Sequence, residues 1–506
     1  MDIKTMKTVG ASIAIVTLAG SLLAACNSKP NEVPAESKDA GQPLNIKMML
    51  NFDGKEVPKK DNEVEKAIEK YTNTNLDLTL ISSNDFCSKL PVMIASGEMP
   101  QVVASCGTPN QSYLIGAAQG GAFWDITSLV KEYKNLSSMP SLVYENVSID
   151  GKLYGIPRFR PVSRYTFVYR HDWLQNLNLK EPKTADDLYN VLKAFAEKDP
   201  DQNGQKDTIG FTSMINNGSL SPDFGLMFGA PNNWGEQNGK FVKAEETPQY
   251  LESLKFLRKL YSEGLINKDF ASVDRGKYEG DFNSGKAGMM SATTNNVLAF
   301  QTRLQAANPK ARLDFFSAVE GPVGKRVQAD RGSNGILMFP KSAVKTEAEL
   351  KRLLSFFDKL AQKDMVDLLE WGIQGKHYEI KDGKAVRSNQ ELYDNEVGFP
   401  YNKPLVTAPL SGIRTQGDLD PLSKKALDVE KENEAFAVKD PTMVLISNTW
   451  ATKGAELQQI LIDAKVKFIM GKIDENGWMQ EIEKYKKAGG DKVAEEYAAA
   501  AAKVKK

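Results

Sequence analysis

Asp199, Asp201, Asn203, Gln205 and Asp207 stand at alternate positions in the run DPDQNGQKD, with Gly204 among them. Oxygen donors at the first, third and fifth positions, a main-chain carbonyl at the seventh, a ligand at the ninth and a glycine at the sixth for the sharp turn meet the needs of a hard cation such as Ca²⁺. The twelfth position, where an EF-hand carries a bidentate Glu, is Gly210, so another segment would have to complete the shell. The same residues also suit a solvated Asx and glycine turn between helix and strand. A cation here would be structural, because a metal that activates water needs an open position inside a cleft.

Other chemistries are short of residues. The 506-residue chain has two histidines, His171 and His377, and three cysteines, Cys26, Cys87 and Cys106, which leaves most zinc, haem and Ser/His or Cys/His chemistries without ligands or bases. Lys plus Arg equals Asp plus Glu at 65 each. The whole chain therefore offers no basic field for a phosphate polymer, and no nucleic-acid partner is expected. No GxSxG elbow, phosphate loop, HExxH or dinucleotide fingerprint is present.

The elements that must position any site begin at Leu44. LNIKMML, LDLTLI and QVVAS read as strands, EVEKAIEKYT and DFCSKLPVMIAS as helices. Alternation of this kind, with strands too apolar to be half exposed, predicts an α/β fold with mostly parallel sheets flanked by helices. Ligands gather at the carboxyl ends of such strands, which points to Asn51, Asp53 and Asn84. Segments that recross, at GKLYGIPR, FNSGKAGMMSAT and NGILMFPKSAVKTEAEL, predict two lobes joined by three strands. The expected division is 44–156 with 288–340 in the first lobe and 157–287 with 341–506 in the second.

Before the body, Lys4 and Lys7 precede a short apolar run that ends in Leu23, Ala24, Ala25 and Cys26. It is a signal-peptide core, too short for the roughly 20 residues of a membrane span. Residues 26–43, rich in Pro, Ser and charge, read as a flexible tether. Cys87 and Cys106 then remain in an exported chain, as a disulfide or as two inert buried thiols.

The Leu-Ala-Ala-Cys box, the polar tether, IASGEMPQVV, GKLYGIPR, YRHDWLQNLNLKEPKTADDLYNVLKAF, FNSGKAGMM, WGIQGKHYE and TKGAELQQI, in this order, resemble the large extracellular solute-binding lipoproteins of ABC importers, among them Gram-positive oligosaccharide binders and alginate-binding proteins. The resemblance spans essentially the whole mature chain. It implies a two-lobed periplasmic-binding-protein fold with hinge crossovers, an acyl chain on Cys26 that anchors a monomer outside the cell membrane, an oligosaccharide in the cleft and an ABC permease as partner. The similar alginate binders carry an acidic calcium ligand just after the ninth loop position, where Thr208 stands here.

A sugar presents hydroxyls around apolar C–H faces, so its site wants flat aromatics and planar polar groups. Of six Trp, Trp234 in GAPNNWGEQNG and Trp371 in EWGIQGKHY lie among glycines and are the expected platforms; Trp173, Trp478 and Trp124 read as structural, and Trp450 is undecided. Arg158 and Arg160 follow the first crossing, and Arg331 with Asn334 precede the strand of the third, where they could reach hydroxyls or a uronate carboxylate, or pair with lobe carboxylates. A surface-anchored carbohydrate enzyme using two carboxylates, a polysaccharide-binding adhesin and a peptide binder stay open beside the importer reading.

Overall fold

The computed structural model describes residues 42–504, apart from 55, 108–110, 217, 218, 221 and 410–412. The signal peptide, Cys26 and the tether to residue 41 lie outside the described residues.

The apolar run from Leu44 forms the strand Leu44–Phe52, whose Ile46, Met48 and Leu50 are buried. Each such side chain contributes about 1.5 to 3 kcal/mol when fully buried. The strand lies inside a five-stranded sheet in the order Thr74–Ser82, Leu44–Phe52, Val102–Ala104, Ser333–Met338, Gly155–Phe159. The first three run parallel, and Ser333–Met338 pairs antiparallel with both neighbours. Between the first two strands comes the helix Glu63–Thr72, started by Asn62, whose side-chain oxygen accepts from the Val64 and Glu65 amides.

A second, four-stranded sheet has the order Leu313–Phe316, Tyr165–Arg170, Ala287–Thr293, Ile209–Phe211. The α/β class is as expected, but two of this sheet's three pairings are antiparallel. The helix Ala185–Glu197 packs Leu188, Val191, Leu192 and Phe195 into this body; it begins at a capping box between Thr184 and Asp187 and stops just before Asp199, whose φ is 46°.

Three apolar clusters accompany the two sheets, one at the first and one on each face of the second, and they distribute some segments differently from the expected division of the chain. Residues 288–293 and 313–316, assigned from sequence to the first lobe, belong to the strands Ala287–Thr293 and Leu313–Phe316 of the second sheet; within 288–340 it is Ser333–Met338 that joins the first. Conversely, the helices Glu347–Leu360 and Lys363–Trp371, assigned to the second lobe, put Leu350, Leu353, Phe357 and Leu369 into the first core with Ile46 and Val103. The helices Asn448–Ile469 and Glu475–Tyr485 join the second core through Leu457, Phe468 and Trp478. An apolar strand advertises burial, not its partner, so periodicity alone could not distribute these segments.

The chain passes from the first sheet to the second between Phe159 and Tyr165, returns between Phe316 and Ser333, and leaves the first core again after Leu405. The three crossings are stitched together: Arg160 N donates to Gly332 O at 2.9 Å, Asp330 N to Val162 O at 2.6 Å and Phe159 N to Val406 O at 3.0 Å. Cys87 and Cys106 form a disulfide, closing a sequence separation of 19 between the helix Ser83–Ser96 and the end of Val102–Ala104. Among the described residues, no helix is long and apolar enough to cross a membrane.

Candidate functional site

Where the crossings meet the strand ends, polar side chains converge. Arg158, on the strand Gly155–Phe159 and 2% exposed, donates from Nη1 to Asn51 Oδ1 at 2.6 Å and from Nη2 to Ser105 O at 3.4 Å. Asn51 in turn donates to Ser83 Oγ at 3.0 Å, and Ser83 donates to Asp53. The strand-end rule and the crossing rule thus led to one network. The backbone makes room for it at Gly335, where φ is +88° and a Cβ would lie 2.5 Å from Ser105 Oγ and 3.2 Å from Arg158 Nη2. The side chain of Asn84, on the adjacent helix, lies outside what is described.

Arg160 continues the network toward the next crossing, donating to Phe159 O at 2.8 Å and to Lys403 O at 3.5 Å. Arg164 closes on Asp330, with Nη2 at 2.7 Å and Nε at 3.1 Å from Oδ2, and reaches Asn295 at 3.3 Å. Arg164, Asp330, Ser83, Ser105 and Lys403 were not singled out from the sequence; their positions on crossings and at strand ends were the available signal.

Two guanidinium groups, Arg158 and Arg160, share one carboxylate, Asp53, here. Burial pulls the Arg158 guanidinium down to about 10, the charge of Arg160 acting in the same direction and Asp53 against it. Burial also lowers Arg160 to about 10, with Arg164 adding to the effect. Arg158, Arg160, Arg164 and Lys403 face Asp53 and Asp330, with Asp394 beside Lys403 and Glu430 in the field of Arg164. The Arg158 Nε is buried without a hydrogen-bond partner. Such an array is short of planar acceptors, which a carboxylate supplies.

Both tryptophans expected as sugar platforms are core residues. Trp234 opens the strand Trp234–Gln237, is 1% exposed, and packs edge-on against Tyr497 at 5.2 Å between centroids. Trp371 ends the helix Lys363–Trp371, is 4% exposed, and donates from Nε1 to Thr415 O at 3.1 Å. A Cβ on Gly417 would fall 2.3 Å from its ring. Glycines near Trp371 let backbone press against the indole; they do not open it to solvent. Trp173 and Trp478 are buried as expected, and Trp124 donates to Val344 O at 2.9 Å.

The side chains of Arg331 and Asn334 make no hydrogen bond to the Arg158 network among the described residues. Asn334 is exposed, whereas Arg331 is half-buried and lines a cavity of about 320 Å³ that also includes Trp450.

In the loop after the helix Ala185–Glu197, Asn203 Nδ2 donates to Asp201 Oδ2 at 2.9 Å and to Asp207 Oδ1 at 3.3 Å, while Asp199 accepts from the Asn203 and Gly204 amides at 3.0 Å each. Gln205 N donates to Asn203 Oδ1 at 2.7 Å. Asp201 Oδ1 is buried without a hydrogen-bond partner, and burial, followed by a hydrogen bond with Asp199, raises the Asp201 carboxyl. Thr208 departs from the expected ligand set: it is buried and its hydroxyl donates to Phe195 O at 2.7 Å, which fastens the loop to the helix. Among the described residues, no group of three or more His, Cys, Asp or Glu is arranged to hold a metal ion; the Asn203 amide bridges the two carboxylates instead.

Comparison with known proteins places this architecture. The chain is 37% identical over 491 residues to the polygalacturonan/rhamnogalacturonan-binding protein YtcQ of Bacillus subtilis, covering 96% of this chain and 97% of that protein. It is 36% identical over 487 residues to lipoprotein LipO of the same organism, covering 94% and 95%. A structure of an EF-hand mutant of the Streptococcus pneumoniae ABC-transporter substrate-binding protein FusA, in complex with fructo-nystose, superimposes with a TM-score of 0.65 at 21% identity, covering 91% of this chain and 98% of that one. Residues 54–365 match the family model for bacterial extracellular solute-binding proteins, and the chain belongs to that family.

Proposed function

We propose that this protein is the substrate-binding component of an ABC importer, that it captures an oligosaccharide bearing acidic units at the crossing network, and that it passes the ligand uncleaved to a membrane permease. The observation that carries this reading is the pair of guanidinium groups, buried at Arg158 and half-buried at Arg160, that share the carboxylate of Asp53 where three crossings meet the strand ends. A uronate carboxylate seated at Arg160 and Lys403 would give these cations a partner, and the polygalacturonan in the name of YtcQ is built of uronates. Binding at residues that join two bodies favours whichever arrangement touches the ligand on both sides, so capture shifts a conformational population without chemistry. A lipid on Cys26 would keep the body at the outer membrane surface of the cell, and the LipO relative is itself a lipoprotein by name.

The donor chemistry of the 199–207 loop suits a structural Ca²⁺, which would have to displace the Asn203 amide from between Asp201 and Asp207. Asp199, Asp201 and Asp207 with the Asn203 oxygen are hard donors, and the orphaned, buried Asp201 Oδ1 is an acceptor in need of a partner. Bound there, the cation would tie the end of the helix Ala185–Glu197 to the strand Ile209–Phe211.

The test is calorimetric titration of the mature chain with tetragalacturonate and with neutral tetrasaccharides. The acidic ligand is expected to bind, with affinity falling as salt rises, and Arg160→Met is expected to weaken it tenfold or more, about 1.4 kcal/mol. Binding of neutral ligands alone, or an Arg160→Met variant of unchanged affinity, would overturn the acidic reading.

A further inference from the structure

The cavity of about 320 Å³ in the second body runs from Asp330 and Arg331 on the returning crossing to Trp450 at the start of the closing helix. Asp330 belongs to both places, since its Oδ2 is held by Arg164 of the crossing network while the residue lines the cavity. The cavity is at the small end of ligand pockets, which span about 300 to 1,000 Å³. It suits a terminal unit of a ligand rather than a length of chain.

The cavity is lined by charges of both signs. Glu245 is 6% exposed and held by Lys465 Nζ at 2.7 Å and Lys243 Nζ at 3.6 Å, and the Arg331 guanidinium lies in the fields of Asp330 and Asp440. Lys243, Lys465 and Arg331 face Glu245, Asp440 and Asp330, the last shared with Arg164, so an incoming carboxylate would have to sit beside three carboxylates. What the lining leaves unsatisfied is hydrogen-bonding capacity. Gln328 Oε1 is a buried acceptor without a hydrogen-bond partner, Glu245 Oε2 has the Lys243 ammonium at 3.6 Å but no hydrogen bond, and the Arg331 side chain makes no hydrogen bond among the described residues. A buried acceptor of this kind is unfavourable until a donor arrives. Trp450 adds an aromatic wall: the ring is half-buried, and a Cβ on Gly454 would lie 3.1 Å from it on one side. Hydroxyls that donate and accept around an apolar C–H face answer all of these features at once.

We infer that this cavity is a subsite for a neutral sugar unit, so that the ligand is a mixed oligosaccharide whose acidic unit lies at the crossing network and whose neutral end lies against Trp450. The inference rests on the oligosaccharide-capture reading and narrows its ligand class from any uronate chain to one that combines uronate with neutral units.

Two probes of equal length separate the possibilities: tetragalacturonate, and a tetrasaccharide that alternates galacturonate with a neutral hexose unit. Calorimetry on residues 26–506 is expected to give the mixed probe at least tenfold higher affinity, and Trp450→Ala and Gln328→Leu are each expected to bring the two probes within twofold of one another. Equal affinities in the unmodified protein, or a preference that survives both substitutions, would overturn the subsite while leaving the acidic-ligand reading in place. If neither probe binds, the capture reading fails and the subsite fails with it. Circular dichroism checks that each variant is folded, and Gln328→Leu carries the test should Trp450→Ala not fold.

Discussion

Arg158 Nη1 lies 2.6 Å from Asn51 Oδ1, joining a crossing strand to the carboxyl end of the first strand across a sequence separation of 107. The contact fixes the charged floor on which the other polar groups are arranged. It also leaves a buried guanidinium dependent on one side-chain acceptor and one main-chain carbonyl.

Asn51→Ala is therefore expected to destabilise the fold by about 1 to 3 kcal/mol, because a buried donor loses its acceptor. Asn51→Asp, which keeps an acceptor and adds a charge opposite Arg158, is expected to recover most of that loss. Urea denaturation midpoints of the two variants read the difference.

Much of this arrangement is legible in the sequence, for definite reasons. The apolar run at Leu44 and the helical spacing of Leu188, Val191, Leu192 and Phe195 report burial directly. The rule that ligand groups collect at strand ends and crossings brought Asn51, Asp53, Arg158 and Arg160 to one place. Pairing across long separations left no such trace. The Arg164–Asp330 ion pair spans 166 residues, and the strand Ala287–Thr293 carries nothing that names Tyr165–Arg170 as its neighbour. The glycines around Trp371 had two readings, exposure or close packing, and only the position of Gly417 against the indole separates them.

Acid should weaken the second body through Glu245. Burial pushes this carboxyl up, but the Lys243 and Lys465 ammonium groups outweigh burial and hold it near about 2, below its ordinary 4.5. A depressed folded value adds stability above the unfolded value, here about 3 kcal/mol, and that stability is lost as pH falls from about 4.5 toward about 2. Unfolding free energies measured across this window should decline, and Glu245→Gln should flatten the decline.

Reduction should loosen the first body. A disulfide that closes a loop of this length stabilises by about 3 kcal/mol through the entropy of the unfolded chain. Melting temperature should fall with dithiothreitol in the unmodified protein and be insensitive to it in a Cys87→Ser, Cys106→Ser variant.

Chelation tests the loop. With Ca²⁺ added the melting temperature should rise, with EDTA it should fall, and Asp201→Ala should remove the response. A Ca²⁺-independent melt would favour the solvated turn.

The most direct measurement is calorimetric titration of the mature protein with a uronate-containing oligosaccharide, followed by mass spectrometry of the ligand recovered from the cell. One ligand bound per chain and recovered at its original mass is the result predicted for a binding protein that delivers its cargo intact. Shortened ligand in the recovered sample, or no heat of binding with any oligosaccharide, would contradict the account.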